Sequence, residues 1–329
     1  MLNKNHIIFS NFLWVVAALI GFFRFDVGID YMHYLSSISN YHIDGVIYFE
    51  YGNKLLIDLI KFFNLPDYMF ISLLSISTLY LFRKFYYKAD QKSFLFLTLF
   101  FIIYPGLYLT SFNIMRQYFS MAIFCFALLE LGKKNNLKFF YYVLVASLFH
   151  VSALLFAPFY FFNKNYSMGI SKINTLNKSI IFIVGLLFGT FLISFDGIKY
   201  NIDVNELSDY VSYSYQLILV AALYFLLALN KRHDNNHFFV IIKNFILYVL
   251  IMGFALLFIP FDIGVTHRLI LFVYPLFPLA ILNMYRFSIG FNAFKIFIIL
   301  IITIYFIITL ALKSPYLNLI PYHSILSYA

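Results

Sequence analysis

Ser111-Phe112-Asn113-Ile114-Met115-Arg116-Gln117 is a polar interruption between two apolar runs, Leu95 to Leu109 and Tyr118 to Leu131. Between those runs Arg116 is the only charge. A guanidinium at the mouth of a membrane helix is costly unless it has a partner such as an anion or a carboxylate. Its planar fork binds phosphate or carboxylate through two parallel hydrogen bonds, a geometry that lysine does not copy. Asn113 and Gln117 add polar groups on the same short turn. They favour a ligand site over the alternative, interfacial snorkelling of a terminal arginine.

Arg268 and Arg24, each beside an apolar run, are the second and third residues with this chemistry. Such arginines stabilise negative charge developing on a phosphate leaving group. The complementary group is a carboxylate that takes the proton of an attacking sugar hydroxyl. Asp30 ranks first for that role, because it follows Gly28 and stands among Tyr31, His33 and Tyr34, whose rings can orient a sugar. Glu50, between Phe49 and Tyr51, ranks second. For either carboxylate a structural ion pair with Arg24 or Arg116 is the competing account. Asp58 and the Asp196 to Asp209 group read as solvated, and Asp67 after Pro66 as a helix cap. His150 and Ser152 mark a bend and His267 adjoins Arg268; all three are supporting candidates, His150 first as a hydrogen-bonded structural residue. No Walker loop, Rossmann glycine pattern or His-Glu-x-x-His motif occurs, and the single Cys125 lies inside an apolar run. Neither a metal nor a cofactor is expected.

The elements that must position these residues are membrane helices. Of 329 residues 63% are hydrophobic and only 11% charged, which excludes a soluble domain. The apolar runs are helix-length, which excludes a barrel. The net charge of +9 resides in short loops, the positive-inside pattern, and needs no nucleic acid to explain it. Spans are expected at Ile7–Phe23, Tyr68–Phe82, Phe94–Leu109, Tyr118–Gly132, Ile180–Phe195, Tyr215–Leu229, Phe245–Ile259, Leu269–Tyr285 and Ile296–Leu312. Residues 24–67 hold six acids against three Lys/Arg and are expected outside the cell. Within them Leu55, Leu56, Leu59, Ile60 and Phe63 form one apolar helix face opposite Lys54, Asp58 and Lys61, the pattern of an amphipathic helix lying on the membrane surface or on the bundle.

Phe139 to Phe162 decides the remaining topology. If it enters and leaves on one side, 16 of the 23 Lys/Arg lie in the cytoplasm; if it crosses once, only 11 do. A re-entrant pair of half-helices, bent near His150-Val151-Ser152, is therefore expected. The fold class is all-α and polytopic: about nine full spans plus that pair and the amphipathic helix, in a single membrane domain with a cytoplasmic N-terminus and an outside C-terminus. Arg24, Asp26, Asp30, Tyr31, Glu50, Arg116, Asp262, His267 and Arg268 then share the outer face, with Asp26 and Asp262 as further carboxylate candidates.

Several short stretches resemble the EpsG family. They are Val27-Gly28-Ile29-Asp30-Tyr31 with Tyr34, Phe49-Glu50-Tyr51-Gly52, Asn113-Ile114-Met115-Arg116-Gln117, Phe149-His150-Val151-Ser152-Ala153-Leu154 and His267-Arg268-Leu269. The resemblance runs from Arg24 to Tyr285, with Tyr51 standing where the pattern has proline, and it assigns no catalytic base. It implies a membrane polymerase or glycosyltransferase of surface polysaccharide or O-antigen assembly, similar in role to Wzy polymerases. The expected activity is inverting, metal-independent joining of undecaprenyl-diphosphate-linked oligosaccharide repeats at the outer face of a bacterial cytoplasmic membrane. Expected partners are that lipid-linked oligosaccharide, membrane lipid and a chain-length regulator protein. The alternatives are a polyprenyl-phosphate-sugar-dependent transferase and a lipid-linked sugar translocase.

Overall fold

In α1 (Lys4–Phe23) the buried residues are Ser10, Trp14, Ala17 and Gly21, spaced four, three and four apart. The opposite side exposes Ile8, Phe9, Phe12, Val15, Leu19 and Ile20. A water-soluble helix has the reverse arrangement. In lipid the large apolar side chains gain nothing by leaving the surface, so small and hydrogen-bonding residues mark the packed face. Trp14 shows the second half of that rule, its Nε1 donating to Thr98 Oγ1 at 2.9 Å. The chain is an all-α polytopic membrane protein.

The computed structural model describes residues 4–41, 49–167, 207–229, 237–257, 268–285, 291–317 and 322–327. The expected span Ile180 to Phe195, the acids Asp196, Asp203, Glu206 and Asp262, and His267 lie outside them. After α1 come α2 (Tyr31–Ser39), α3 (Tyr51–Phe62), α4 (Tyr68–Ala89), α5 (Phe94–Ile103), α6 (Met115–Gly132), α7 (Asn136–Ser147) and α8 (Phe159–Ser167). Then follow α9 (Leu207–Leu229), α10 (His237–Leu257), α11 (Phe277–Tyr285) and α12 (Phe291–Leu317). Two compact units result: Met1–Cys125 with Leu148–His150 and Phe287–Ala329, and Phe126–Ser147 with Val151–Arg286.

In the first unit α1 packs on α4 and α5, and α12 on α5. The expected span Phe94–Leu109 is not one helix. α5 stops at Ile103, two residues before Pro105, because proline disfavours helical backbone in the residue before it. The chain then turns, passes through a 3₁₀ turn at Thr110–Phe112, and enters α6 at Met115. That broken stretch is internal, with Leu107, Tyr108 and Phe112 buried, as backbone away from helix must be at membrane depth. The last described residues pair with the end of α1 and the loop after it: Tyr322 OH donates to Ile20 O at 2.7 Å, and Phe25 N to His323 O at 2.9 Å.

α2 and α3 are seated on α4 and the head of α6 by one apolar cluster, Tyr31, Tyr34, Ile38, Phe49, Ile57, Ile60, Phe70, Ile71, Leu74 and Met115. The expected apolar face of α3 is divided between the core, which takes Ile60, and the surroundings. Ile57 and Ile60 point inward with Gly52 and Asn53, whereas Leu55, Leu59, Phe62 and Phe63 are exposed, Phe62 at 77%. α3 therefore presents an apolar face to its surroundings as well as to the core, with Asp58 on the edge between.

Asp67 occupies the position before α4, yet its side chain makes no cap bond, so the helix-cap reading is corrected. It accepts instead from Lys61 Nζ at 2.6 Å and Ser39 Oγ at 2.7 Å, strapping α2 and α3 to α4. Burial alone would push its carboxyl up; the hydrogen bonds from Lys61 and Ser39 and the Lys61 charge outweigh that and hold it below the ordinary value. A depressed carboxyl stabilises the fold above the unfolded-state pKa of about 4 and loses that contribution as pH falls through its own lower value. Asp67→Asn is thus expected to melt below the parent near neutral pH in detergent, with the gap closing as pH drops through that range. A gap independent of pH would contradict it.

In the second unit the expected re-entrant pair appears as two helices joined through a 3₁₀ turn at Val151–Phe156. The chain doubles back. Phe139 and Phe140 at the start of α7 meet Tyr160 in α8 with tilted rings, centroids at 6.3 and 5.2 Å. α8 is tied to α10 by Asn244 Nδ2 donating to Asn163 Oδ1 at 2.9 Å, both residues buried. α10 starts at His237, so Lys243, expected in a loop, lies within it, and α9 starts at Leu207, bringing Asp209 into its first turn. The expected span Leu269–Tyr285 is interrupted at a 3₁₀ turn around Pro275 and is buried from Leu269 to Ala280.

Candidate active site

Glu50 stands just before α3 on extended backbone (φ −62°, ψ 155°) and does not cap the helix with its side chain. Its Oε2 accepts from Arg116 Nη1 at 2.6 Å and from Asn53 Nδ2 at 2.9 Å. Arg116 reaches it from the first turn of α6. Its Nε donates to Tyr34 OH at 3.2 Å, and its guanidinium carbon lies 5.5 Å from the Tyr34 ring centre and 5.1 Å from that of Phe49. Ring faces attract a cation, and the ion pair is stronger where water is scarce. Both charged side chains are nevertheless reachable, at 15% and 19% exposure. The Tyr34 phenol is pushed up by burial, against the opposing pull of Arg116, so it is protonated at neutral pH and retains a proton to donate.

Asp30 opens α2. Its side chain makes no cap bond, its carbonyl accepts from Tyr34 N at 2.9 Å, and its charge acts on the Tyr34 phenol from one turn away. It is half-buried, whereas Tyr31 beside it is buried and pushed up to about 12, chiefly by that burial. The loop before them is shaped by Asn113, whose Oδ1 accepts from Ile29 N at 2.9 Å. Gly28 has φ +98°, and a Cβ there would come within 2.7 Å of that Oδ1 and 3.0 Å of Phe112 O. Asn113 thus holds the Asp30 loop against the Arg116 turn.

Arg24 is placed differently from the expectation. It is fully buried and donates through Nη1 to Phe112 O at 2.9 Å and Val27 O at 3.4 Å, and through Nη2 to Ser75 Oγ at 3.3 Å and the Met115 sulfur. Its guanidinium also lies 4.4 Å from the Phe112 ring centre. A diphosphate has no route to it; Arg24 bolts the end of α1 to the turn that carries Arg116. Gln117 is buried. His150 is buried next to Phe149, whose ring meets Phe119 edge-on at 4.5 Å. Ser152 and Arg268 belong to the second unit, the first buried and the second half-buried.

Two residues to which the sequence assigns no role, Asn53 and Gly52, complete the arrangement; only Gly52 lies in an EpsG-like stretch. Asn53 is fully buried, and its Nδ2 donates both to Glu50 and, at 2.8 Å, to Phe149 O. Gly52 N donates to Leu148 O at 2.7 Å, and a Cβ on Gly52 would sit 2.8 Å from that oxygen. The available signal was an amide and a glycine on the inward side of an amphipathic helix, where apolar residues belong. Arginine, carboxylate, phenol and aromatic walls together can hold a phosphate, accept a proton and stack a sugar.

Residues 6–324 match the EpsG family. The chain belongs to the EpsG family. No curated protein and no solved structure matches it. Membership brings a membrane polysaccharide polymerase-like function with glycosyltransferase-type activity. The EpsG-like stretches read from the sequence include the residues that meet in this site, Tyr34, Glu50, Gly52, Arg116 and Phe149.

Proposed function

We propose that this EpsG protein joins undecaprenyl-diphosphate-linked oligosaccharide repeats into a bacterial surface polysaccharide, an O-antigen, capsule or exopolysaccharide. The reaction takes place at the outer face of the cytoplasmic membrane, where α2, α3 and the head of α6 lie in this reading. The observation that carries the proposal is the reachable Arg116–Glu50 pair walled by Tyr34 and Phe49, in a chain of this family. The hydroxyl oxygen of the incoming unit attacks the anomeric carbon of the growing chain and inverts it. The bond from that carbon to the diphosphate oxygen breaks, and undecaprenyl diphosphate departs with the electron pair. Arg116 neutralises the charge that develops on the departing phosphate. Asp30 takes the hydroxyl proton, and Glu50 serves as the counter-ion that aims Arg116.

Deleting the gene is expected to collapse the surface-polysaccharide ladder to a single repeat unit on a lipid or acceptor core. A ladder of unchanged length would remove the polymerase reading. Loss of even the single repeat would point to the sugar-transferring or translocating alternatives.

A further inference from the structure

We propose that Asn53 is a positioning residue, tying the first unit's own tip segment, Leu148–His150, to the Glu50–Arg116 pair so that the pair is fixed before substrate arrives. This rests on the function proposed above for that pair.

A primary amide has two N–H groups, and Asn53 spends its nitrogen on two acceptors from different parts of the chain: Glu50 Oε2 at 2.9 Å and Phe149 O at 2.8 Å. The bond to the carboxylate is charge-assisted and therefore the stronger of the two. The other face of the amide is left wanting, because Asn53 Oδ1 is buried without a hydrogen-bond partner among the described residues. A buried acceptor left unpaired is costly and asks for an explanation. The explanation offered by the geometry is that the donating side is what the site needs. Apolar packing does not require an amide here, since Ile57 and Ile60 fill the same inward face of α3.

Two further contacts converge on the same three tip residues, Leu148 to His150. Gly52 N holds Leu148 O at 2.7 Å, with no room for a side chain between the two backbones. The Phe149 ring meets Phe119, one turn into α6 from Arg116 and on the same side of that helix. The tip thus touches the element that carries Glu50 and the element that carries Arg116. Asn53 supplies a direct polar link from the tip to the ion pair. If the tip shifts, Glu50 loses the neighbour opposite Arg116 and the guanidinium loses its fixed aim. Interactions that matter most in the transition state are the ones weakened by such looseness.

The test uses the full-length protein in detergent, with lipid-linked repeat units extracted from the deletion strain as substrate. Asn53→Ser supplies one short donor that does not span both acceptors. Gly52→Ala leaves the amide intact and pushes on the tip. Each is expected to lower kcat per folded molecule about 10- to 100-fold, with KM within about threefold of the parent. The double variant should be little worse than the worse single one, since both break the same tie. Fewer folded molecules, each with the parent's kcat, would reduce Asn53 to a packing residue and overturn the proposal. A melting cycle without substrate keeps the two readings apart. Asn53→Ser and Glu50→Gln should lower Tm non-additively, and additive losses overturn the tie whatever the activity. If Arg116→Ala still polymerises normally, the site reading has failed, and the melting cycle alone judges the tie.

Discussion

Arg116→Lys is expected to cripple polymer formation almost as severely as Arg116→Ala, each by roughly 10²–10³-fold at comparable protein levels. The reason is the number of things one guanidinium does. Its Nη1 holds Glu50, its Nε holds Tyr34, and its charge lies over the rings of Tyr34 and Phe49. An ammonium keeps the charge and can keep the bond to Glu50. It has no planar fork for a diphosphate. The alternative is that Arg116 exists only to satisfy Glu50, and then lysine should restore most of the activity that alanine loses. Binding of inorganic diphosphate to the purified variants separates the cases. Under the ligand reading both substitutions weaken it, and under the ion-pair reading lysine leaves it near the parent. Arg24 supplies the contrast, because its substitution should lower the amount of folded protein through loss of its bonds to four hydrogen-bond acceptors in the interior.

The reach of the sequence can be judged from individual elements. The hairpin bend near His150 was legible because charges in loops report which side of a membrane the chain is on, and that count needed no packing information. The Arg116 turn was legible because one guanidinium between two apolar runs demands a partner. The pattern of α3 marks it as amphipathic without telling which of its residues face the core. Leu55, Leu59 and Phe63 look like core by the rule for water, but in lipid apolarity no longer identifies the buried side. The polar and small residues Gly52 and Asn53 were the better markers, as Ser10, Ala17 and Gly21 are in α1. The breaks at Pro105 and Pro275 were announced by the prolines themselves, and run length outweighed them in the reading of spans. Arg24 was beyond sequence reasoning for a different cause. Two of its acceptors, Phe112 O and the Met115 sulfur, lie 88 and 91 residues away. A buried arginine bonded to backbone carbonyls, a hydroxyl and a sulfur leaves no pattern of opposite charges to find.

Asp30→Asn is expected to fold normally and to bind lipid-linked substrate, yet to lose turnover by the roughly 10²–10⁴-fold that general-base catalysis supplies. Two carboxylates compete for that role, and their surroundings differ. Glu50 has Arg116 at 2.6 Å and Asn53 at 2.9 Å on the same oxygen, so its charge is already committed to aiming the guanidinium. Asp30 sits half-buried at the head of α2, in a loop whose turn is enforced by Gly28 and Asn113, and its side chain does not cap the helix. Its charge is felt by the Tyr34 phenol, which also accepts from Arg116 Nε, so Tyr34 interacts with both side chains. The two substitutions should therefore fail in different ways. Asp30→Asn removes the proton acceptor and leaves Arg116 in place: kcat falls and KM holds. Glu50→Gln keeps the shape but removes the counter-charge itself, a larger loss than the looseness of the Asn53 and Gly52 variants, so that Arg116 is misplaced already in the substrate complex: KM rises as kcat falls. Near-normal ladders from Asp30→Asn would eliminate it as the base. If Glu50→Gln then abolished turnover with KM unchanged, the reacting carboxylate would be Glu50, and the pair with Arg116 would have to open during each cycle.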